Sequence, residues 1–305
     1  RESNTNALID LNSASAKFAI ARNRYSDALK FDLAALELAR EINDTLRQVS
    51  ILSAVGEDYS FLDFYEEAFS YYNQSLIMAV EKGYALQEAV ATFNIGELYL
   101  ATGELEKARK YISKSKDKSL QIKDTIGIAY CKNELAQILI EEIQYDSALQ
   151  ELQLAYDIST RLNEDILTPE IVLSMSKAFL RKGQLQVAEI HYDQALAIYE
   201  MQNSKGGMAI ALFGKAEVLS LQNKLSKAKK SLQRSLELAK EVSDSELLVK
   251  VYKALAKIYE SENNLSVALD YYKKFNQLDD SLSKQKKRDQ FEELQLRLES
   301  ARKDV

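Results

Sequence analysis

The residue types that most often carry catalysis or bind metal ions are nearly missing from this sequence. Its 305 residues include one histidine, His191, and one cysteine, Cys131. A His/Cys metal cluster or a nucleophile–histidine pair needs more of these groups than the chain offers. We interpret His191 as a residue of a helix surface and Cys131 as a half-buried structural thiol. We therefore expect no catalytic residue, no cofactor and no metal site within this chain.

Glycines, carboxylates and aromatic residues give no stronger signal for chemistry. Gly206 and Gly207 form a loop-like pair, but no Gly-rich pattern that would hold a phosphate is present. The 17 tyrosines and 10 phenylalanines could stack on nucleic-acid bases, yet most recur at regular packing positions. The net charge of -6 also opposes binding to a phosphate backbone. We predict neither an enzyme nor a nucleic-acid partner for this chain.

The composition indicates helices. There is one proline and nine glycines, far fewer turn formers than a chain of many short strands would need. No run of about 18 apolar residues is present, so we expect membrane attachment only through a segment beyond Val305. The chain starts at Arg1 without an apolar leader and stops inside a helical pattern, so we expect it to be a mature or excised segment of a longer protein.

A pattern of Tyr or Leu followed three residues later by Ala recurs every 40 residues without insertion or deletion. The seven alanines that anchor it are Ala28, Ala68, Ala108, Ala148, Ala188, Ala228 and Ala268. A small residue stands 12 positions before each: Ala16, Gly56, Gly96, Ala136, Ser176, Ala216 and Ala256. Small side chains let antiparallel helices approach to about 8–10 Å. The pattern therefore predicts seven helix-turn-helix units, with about 16–18 residues in each helix.

Turn and capping residues stand between these helices. Residues that tolerate a left-handed backbone occupy the turn inside six units: Asn23, Asp63, Gly103, Gly183, Asn223 and Asn263. Ile143 holds this position in the fourth unit, where we expect a modified turn. Asp44, Asp124 and Asp244 are predicted to cap the first helices of three units. Thr168 is predicted to cap the first helix of the fifth unit, with Pro169 in its first turn.

The unit resembles the tetratricopeptide repeat. The residues that carry the resemblance best are Leu52, Val55, Gly56 and Tyr59, followed by Ala68 and Tyr72. The proline that ends the 34-residue version of the repeat is missing, which accounts for longer second helices. The resemblance implies an all-α, right-handed superhelical solenoid of seven 40-residue repeats over residues 1–284, with a C-terminal exit helix over residues 285–305.

In this repeat family the first helix of each unit lines a concave groove that binds a peptide or protein. The positions that this resemblance assigns to the groove are Phe93, Asn94, Glu97, Tyr130, Asn133, Gln137, Leu173, Lys177, Arg181, Phe213 and Glu217. Amides can bond an extended backbone, aromatic side chains supply area, and Lys177 with Arg181 could meet a carboxylate. The alternative is that any solenoid presents a mixed polar face without a ligand.

The last residues have a heptad-like pattern. Phe291, Leu294, Leu298, Ala301 and Val305 follow one another at spacings of three and four, flanked by charges. This pattern predicts either a coiled coil, which would form a homodimer through residues 285–305, or a helix that caps the seventh repeat.

The amino-acid sequence from Tyr271 onward is also similar to the end of the sensor region in bacterial membrane-bound regulators. Tyr271 and Tyr272, then Leu278 and Leu282, and the sequence after Phe291 carry this similarity. It implies a peptide- or protein-binding sensor region that relays binding through its C-terminal helix to a kinase, DNA-binding or diguanylate cyclase output. The region would be periplasmic, in an inner-membrane protein. The alternative is a soluble cytoplasmic scaffold or peptide-responsive regulator.

Overall fold

The computed structural model describes the backbone of residues 2–303 and the side chains of residues 4–285. This part of the chain forms α-helices joined by short turns. The fourteen helices of the described residues are α1 (Glu2–Ile20), α2 (Tyr25–Glu41), α3 (Thr45–Phe61), α4 (Tyr65–Lys82), α5 (Ala85–Ala101), α6 (Leu105–Ile122), α7 (Thr125–Glu141), α8 (Tyr145–Leu162), α9 (Leu167–Arg181), α10 (Leu185–Met201), α11 (Lys205–Leu221), α12 (Leu225–Glu241), α13 (Ser245–Ser261) and α14 (Leu265–Lys303).

The helices pack in consecutive pairs, so that each 40-residue unit is a helix-turn-helix repeat. A second helix also packs on the first helix of the next repeat, as α2 does on α3 and α4 on α5. This confirms the prediction of an all-α repeat array. The chain divides into two compact units, residues 1–174 and 175–305.

The turns inside the repeats confirm the positions predicted from Asn, Asp and Gly. Asn23, Asp63 and Gly103 have φ values of 56°, 63° and 79°, all in the left-handed region. Ile143 has a φ of 64° and its turn has the same backbone hydrogen bonds as the others. The modified turn predicted there was therefore wrong. The packing of the two helices imposes one turn geometry, and this β-branched residue adopts it at a steric cost.

Three of the predicted caps are present, and one is not. The carboxylates of Asp44, Asp124 and Asp244 each accept a hydrogen bond from the backbone N–H of the residue three positions later, at 2.9–3.1 Å. Thr168 lies inside α9, which begins at Leu167, and its hydroxyl donates to the Glu164 carbonyl at 2.7 Å. The helix therefore starts earlier than the position of the proline suggested.

Small residues make close helix contacts at the predicted positions. All seven anchoring alanines are buried, six of them completely. A Cβ atom on Gly56 would lie 2.6 Å from the ring of Tyr72, and one on Gly96 would lie 2.5 Å from Cγ1 of Ile112. These glycines are needed because the facing second helix leaves no room for a side chain.

Each unit has its own apolar core. In the first unit Leu36, Leu52 and Ile95 belong to one cluster of buried side chains. In the second unit Leu219, Leu232 and Leu255 form the centre of another. Both clusters lie between first and second helices, which leaves the outer sides of the helices free for polar residues.

The second helix of the last repeat continues as α14 through Lys303. The predicted coiled-coil seam, from Phe291 to Val305, lies outside the residues whose side chains the structure describes. None of the helices in the described part of the chain has both the length and the apolar character that a membrane crossing requires.

Candidate ligand-binding face

The first helices of neighbouring repeats lie against one another. In the first unit α3 contacts α5 and α5 contacts α7, and in the second unit α11 contacts α13. Contacts between alternate helices place them on the inner side of the bend in each unit. We call this surface the first-helix face and define it by Val90, Phe93, Asn94 and Glu97 of α5 and their equivalents 40 residues apart.

The structure brings several of the predicted residues of the first unit together. The rings of Phe93 and Tyr130 meet edge to face, with centroids 6.3 Å apart. Desolvation raises the pKa of Tyr130, and the negative charges of Glu170, Glu164 and Glu97 raise it further. Glu97 therefore lies close to Tyr130. Gln137 donates from Nε2 to the Ser174 hydroxyl at 2.6 Å. Asn94 lies half-buried beside Phe93.

Two predicted residues of the first unit, at the repeat position of Phe93, have buried side chains. Asn133 is 5% exposed and Leu173 is 8% exposed. Asn133 donates from Nδ2 to the Glu134 carboxylate at 2.9 Å, while its Oδ1 is buried without a hydrogen-bond partner. Leu173 is apolar core and offers a ligand little surface.

The predicted residues of the second unit form a more basic surface. Lys177, Arg181 and Glu217 are exposed, and Phe213 is half-buried. Desolvation raises the pKa of Glu217, and the positive charges of Arg181, Lys177 and Lys250 oppose that rise. These cations therefore lie around a single carboxylate. Lys250, on α13, was not predicted.

The sequence interpretation missed an acidic group in the first unit. Glu57, Glu97, Glu134 and Glu170 lie on α3, α5, α7 and α9, and we call them the acidic group. The Glu97 side chain is exposed to solvent. Many protein atoms nevertheless lie near it, because it stands on the inner side of the bend, and they partly desolvate its carboxylate. Desolvation, followed by the charges of Glu134, Glu57 and Glu170, raises the pKa of Glu97 to about 8. Desolvation also raises the pKa values of Glu57 and Glu170.

One part of this group was visible in the sequence. Glu57 and Glu97 are 40 residues apart, so the repeat alone places them on neighbouring first helices. Glu134 and Glu170 stand at the repeat positions of Asn94 and Val90, so the repeat places them on the same face, but only the side-chain packing shows that they approach Glu97. No lysine or arginine among the described residues forms an ion pair with Glu57, Glu97 or Glu170.

A cavity of about 220 Å³ adjoins the two aromatic rings. It lies between α5, α6 and α7, and we call it the α5–α7 cavity. Its lining residues are Ala89, Val90, Phe93, Ser115, Ser119, Asp124, Gly127, Tyr130 and Cys131. Val90 is 44% exposed, so the cavity reaches the surface at this residue. The Cys131 thiol donates to the Ser115 hydroxyl at 3.5 Å, and burial raises its pKa to about 11. The thiol is therefore protonated near neutral pH.

His191 lies apart from this region, in the second unit. Its ring stacks on Phe179 with centroids 5.0 Å apart, and desolvation lowers its pKa. It is thus a half-buried packing residue rather than an exposed one. Within the described residues no group of three His, Cys, Asp or Glu side chains is placed to hold a metal ion.

Two aspartates are buried between α2 and α3. Asp58 is fully buried and Asp32 is 4% exposed. Among the described residues no N–H group donates to the Asp58 oxygens. The Asp32 and Asp58 carboxyls are hydrogen-bonded to each other, which requires a proton on one of them. Desolvation, followed by the charges of Asp32 and Glu57, raises the pKa of Asp58 to about 9. Desolvation also raises the pKa of Asp32, to about 6. Protonated Asp58 therefore donates to the Asp32 carboxylate.

Comparisons with known proteins agree with this architecture. The sequence profile of the tetratricopeptide repeat matches residues 47–116 and 207–274. No curated protein sequence matches the chain. Solved structures of several proteins are similar to it at low sequence identity.

Aspartyl phosphate phosphatase F from Bacillus subtilis superposes with a TM-score of 0.69 at 15% identity, over 91% of this chain and 72% of that one. A Rap protein complexed with Competence and Sporulation Factor gives 0.64 at 16%, over 93% and 98%. NprR in complex with its cognate peptide NprX gives 0.62 at 16%, over 88% and 77%. The chain thus has the fold of a tetratricopeptide-repeat solenoid, with repeats recognisable in its sequence over residues 47–116 and 207–274.

Proposed function

We propose that this chain binds a peptide or a short protein segment on the first-helix face and acts as a peptide-responsive regulator or scaffold. The observation that carries this proposal is the acidic group beside the Phe93–Tyr130 pair. Charged and aromatic side chains are gathered there on one surface. Such a surface supplies both contact area and directional polar groups for a ligand.

The similar structures support this proposal at the level of fold. NprR was solved with its cognate peptide and a Rap protein with Competence and Sporulation Factor. One similar structure is named a phosphatase, so catalysis is the competing class. We propose binding without catalysis because Cys131 is a buried, protonated thiol and His191 serves in packing.

Selection from a phage-displayed library of random peptides on the full chain tests the proposal. We expect enriched peptides whose binding is weakened about tenfold by Tyr130→Ala, the loss of about 1.4 kcal/mol. Ile77→Ala is the matched control, since Ile77 is exposed on the second helix α4. Binding that is sensitive to the control and insensitive to Tyr130→Ala would refute the proposed face.

A sensor region of a membrane-bound signalling protein is the second candidate. The continuity of α14 from Leu265 to Lys303 favours it, since a signal could pass along one helix. This role requires paired exit helices. Light scattering of the chain with and without residues 285–305 separates the candidates. A dimer that becomes a monomer on truncation favours the sensor, and a monomer in both cases favours the regulator or scaffold.

A further inference from the structure

The α5–α7 cavity lies at a repeat interface where two facing positions are both small. Ser119 stands in the last turn of the second helix α6, and Gly127 stands in the first turn of the next helix, α7. A Cβ atom on Gly127 would lie 2.7 Å from the Ser119 hydroxyl, so the two positions face each other. Both residues line the cavity, and neither has a side chain large enough to fill it.

The equivalent pair includes a large side chain at the other five interfaces of this kind in the described part of the chain. These large residues are Arg47, Gln87, Leu167, Tyr199 and Leu247. Leu167 is fully buried and Leu247 is 5% exposed. At Gly207, the equivalent of Gly127, a Cβ atom would overlap the ring of Tyr199, so a ring of the chain itself occupies that place. Within the described residues, the α6–α7 interface alone leaves this pair without a large side chain.

Several polar groups of the cavity wall already have partners within the chain. The Ser115 hydroxyl donates to the Ala89 carbonyl at 2.8 Å and accepts from the Cys131 thiol at 3.5 Å. Asp124 Oδ1 accepts from the backbone N–H of Gly127 at 3.0 Å. A polar occupant would therefore lose its hydrogen bonds to water and gain few in return. The cavity favours an apolar occupant.

The mouth of the cavity opens on the first-helix face. Val90, which is 44% exposed, stands there with the half-buried Phe93 and Tyr130. The volume of about 220 Å³ exceeds the roughly 150 Å³ of an apolar cavity known to admit benzene. A phenyl group that enters past Val90 therefore has room. The rings of Phe93 and Tyr130, which meet edge to face, offer it further aromatic contacts.

We infer that the α5–α7 cavity is the anchor pocket for the proposed peptide and takes one phenylalanine-sized apolar side chain. A peptide on the first-helix face passes the mouth, so its side chain can occupy the space that Tyr199 fills at the equivalent place. An acidic side chain is excluded, because it would lose its hydration beside Asp124. This inference rests on the proposed function, because it names the ligand chemistry of the same face.

Matched synthetic peptides test the affinity that this pocket provides. Each is capped at both ends and carries Phe, Leu, Ala or Asp between identical Ser-Gly spacers. Ligand-detected NMR on the full chain measures the dissociation constants. We expect the Phe peptide to bind at least about tenfold more tightly than the Ala peptide. The Leu peptide should lie between them, since it fills less of the cavity, and the Asp peptide should bind most weakly.

The thiol of Cys131 reports directly on occupancy of the cavity. It lines the wall and belongs to the single cysteine of the chain, so its modification by methyl methanethiosulfonate is specific to this site. We expect bound Phe peptide to slow the modification severalfold, measured by mass spectrometry, and bound Ala peptide to leave it unchanged. Free toluene is the comparison without a peptide chain. Protection by toluene at concentrations where the Phe peptide gives none would overturn the peptide as the occupant.

Variants that fill the cavity separate it from the rest of the face. Ser119→Tyr copies Tyr199 at the equivalent position, and Cys131→Ile copies the fully buried Ile171 of the next repeat. Each should abolish the preference for the Phe peptide over the Ala peptide. Ile77→Ala, on α4 and outside the cavity, should keep that preference. Thermal melts verify that each variant is folded, and the two filling variants are independent of each other.

Equal affinity for the Phe and Ala peptides would overturn the inference, as would unchanged modification of Cys131 while the Phe peptide is bound. A preference for Phe that survives both filling variants would overturn it as well. These results leave the proposed function intact, because a peptide can lie on the first-helix face without entering the cavity. Failure of the random library to yield any ligand sensitive to Tyr130→Ala would instead overturn the proposed function, and the inference with it.

Discussion

At the scale of single residues, the Asp32–Asp58 pair departs most from the repeat. Equivalent positions to Asp58 hold Leu98, Ile138 and Val218, which are ordinary core residues. Because the pKa of Asp58 is raised to about 9 in the folded chain, the folded state holds a proton that the unfolded state releases near pH 4. Its contribution to stability is complete below about pH 4 and is lost as pH rises through 9.

Asp58→Asn should therefore flatten the pH dependence of stability, because its amide donates to Asp32 without titrating. The wild-type chain should lose at most about 1.4 kcal/mol per pH unit from this residue between pH 5 and 8. Urea unfolding at several pH values checks the slope. Asp117→Asn, at an exposed position on α6, should leave the slope unchanged. Parallel slopes for Asp58→Asn and wild type would contradict a proton shared in the core.

Ile143 provides a second residue-scale prediction. It holds a left-handed backbone with a β-branched, 73% exposed side chain, so it has strain without compensating burial. Ile143→Gly should stabilise the chain by about 1 kcal/mol, since Gly183 adopts the same conformation freely. The midpoint of urea unfolding measures this effect. Asn223→Gly, at the same position of another repeat, should change little, and a loss of stability in Ile143→Gly would refute the strain.

At the scale of elements, the close approach of α5 and α6 depends on a missing Cβ atom. In Gly96→Ala the new methyl would lie 2.5 Å from Ile112 Cγ1 and 3.1 Å from its backbone nitrogen. The backbone must shift, so we expect a loss of about 1–3 kcal/mol. Gly206→Ala is the control: nothing lies within 4 Å of its Cβ position in α11, so the change should be neutral or stabilising by up to about 1 kcal/mol. Thermal unfolding of both variants shows whether the steric clash of the new methyl group or the higher helix propensity of alanine determines the change in stability.

The elements were predictable because their signals are local and repeated. The spacing of Ala28, Ala68 and the later alanines fixed which residues pair across each turn, and Asp44 and its equivalents fixed helix starts. The face was only partly predictable. Phe93 and Tyr130 were both assigned to the groove, but the contact between their rings was not predicted. Leu173 and Asn133, also assigned to the groove, are buried. The approach of Glu134 and Glu170 to Glu97 depends on side-chain directions between helices, which the period of the repeat does not contain.

At the scale of the whole molecule, stability in a repeat array is approximately a sum over repeats and their neighbouring interfaces. A core change such as Gly96→Ala therefore lowers the stability mainly of its own repeat and the adjoining interfaces. A ligand that contacts several first helices would stabilise several repeats at once. The positions that are small or apolar in every repeat serve packing. We propose that first-helix positions whose residue type varies between repeats, including those of the acidic group, serve recognition. The claim on which the account depends is that a ligand occupies the first-helix face.

Carboxyl footprinting tests that claim most directly. The full chain is labelled with a carbodiimide and a small amine, with and without a peptide enriched from the random library, and modification is read by mass spectrometry. We predict protection of Glu57, Glu97 and Glu170, with Glu106 and Glu200 on second helices modified equally in both samples. Protection confined to Glu106 or Glu200, with the acidic group modified as before, would contradict the account.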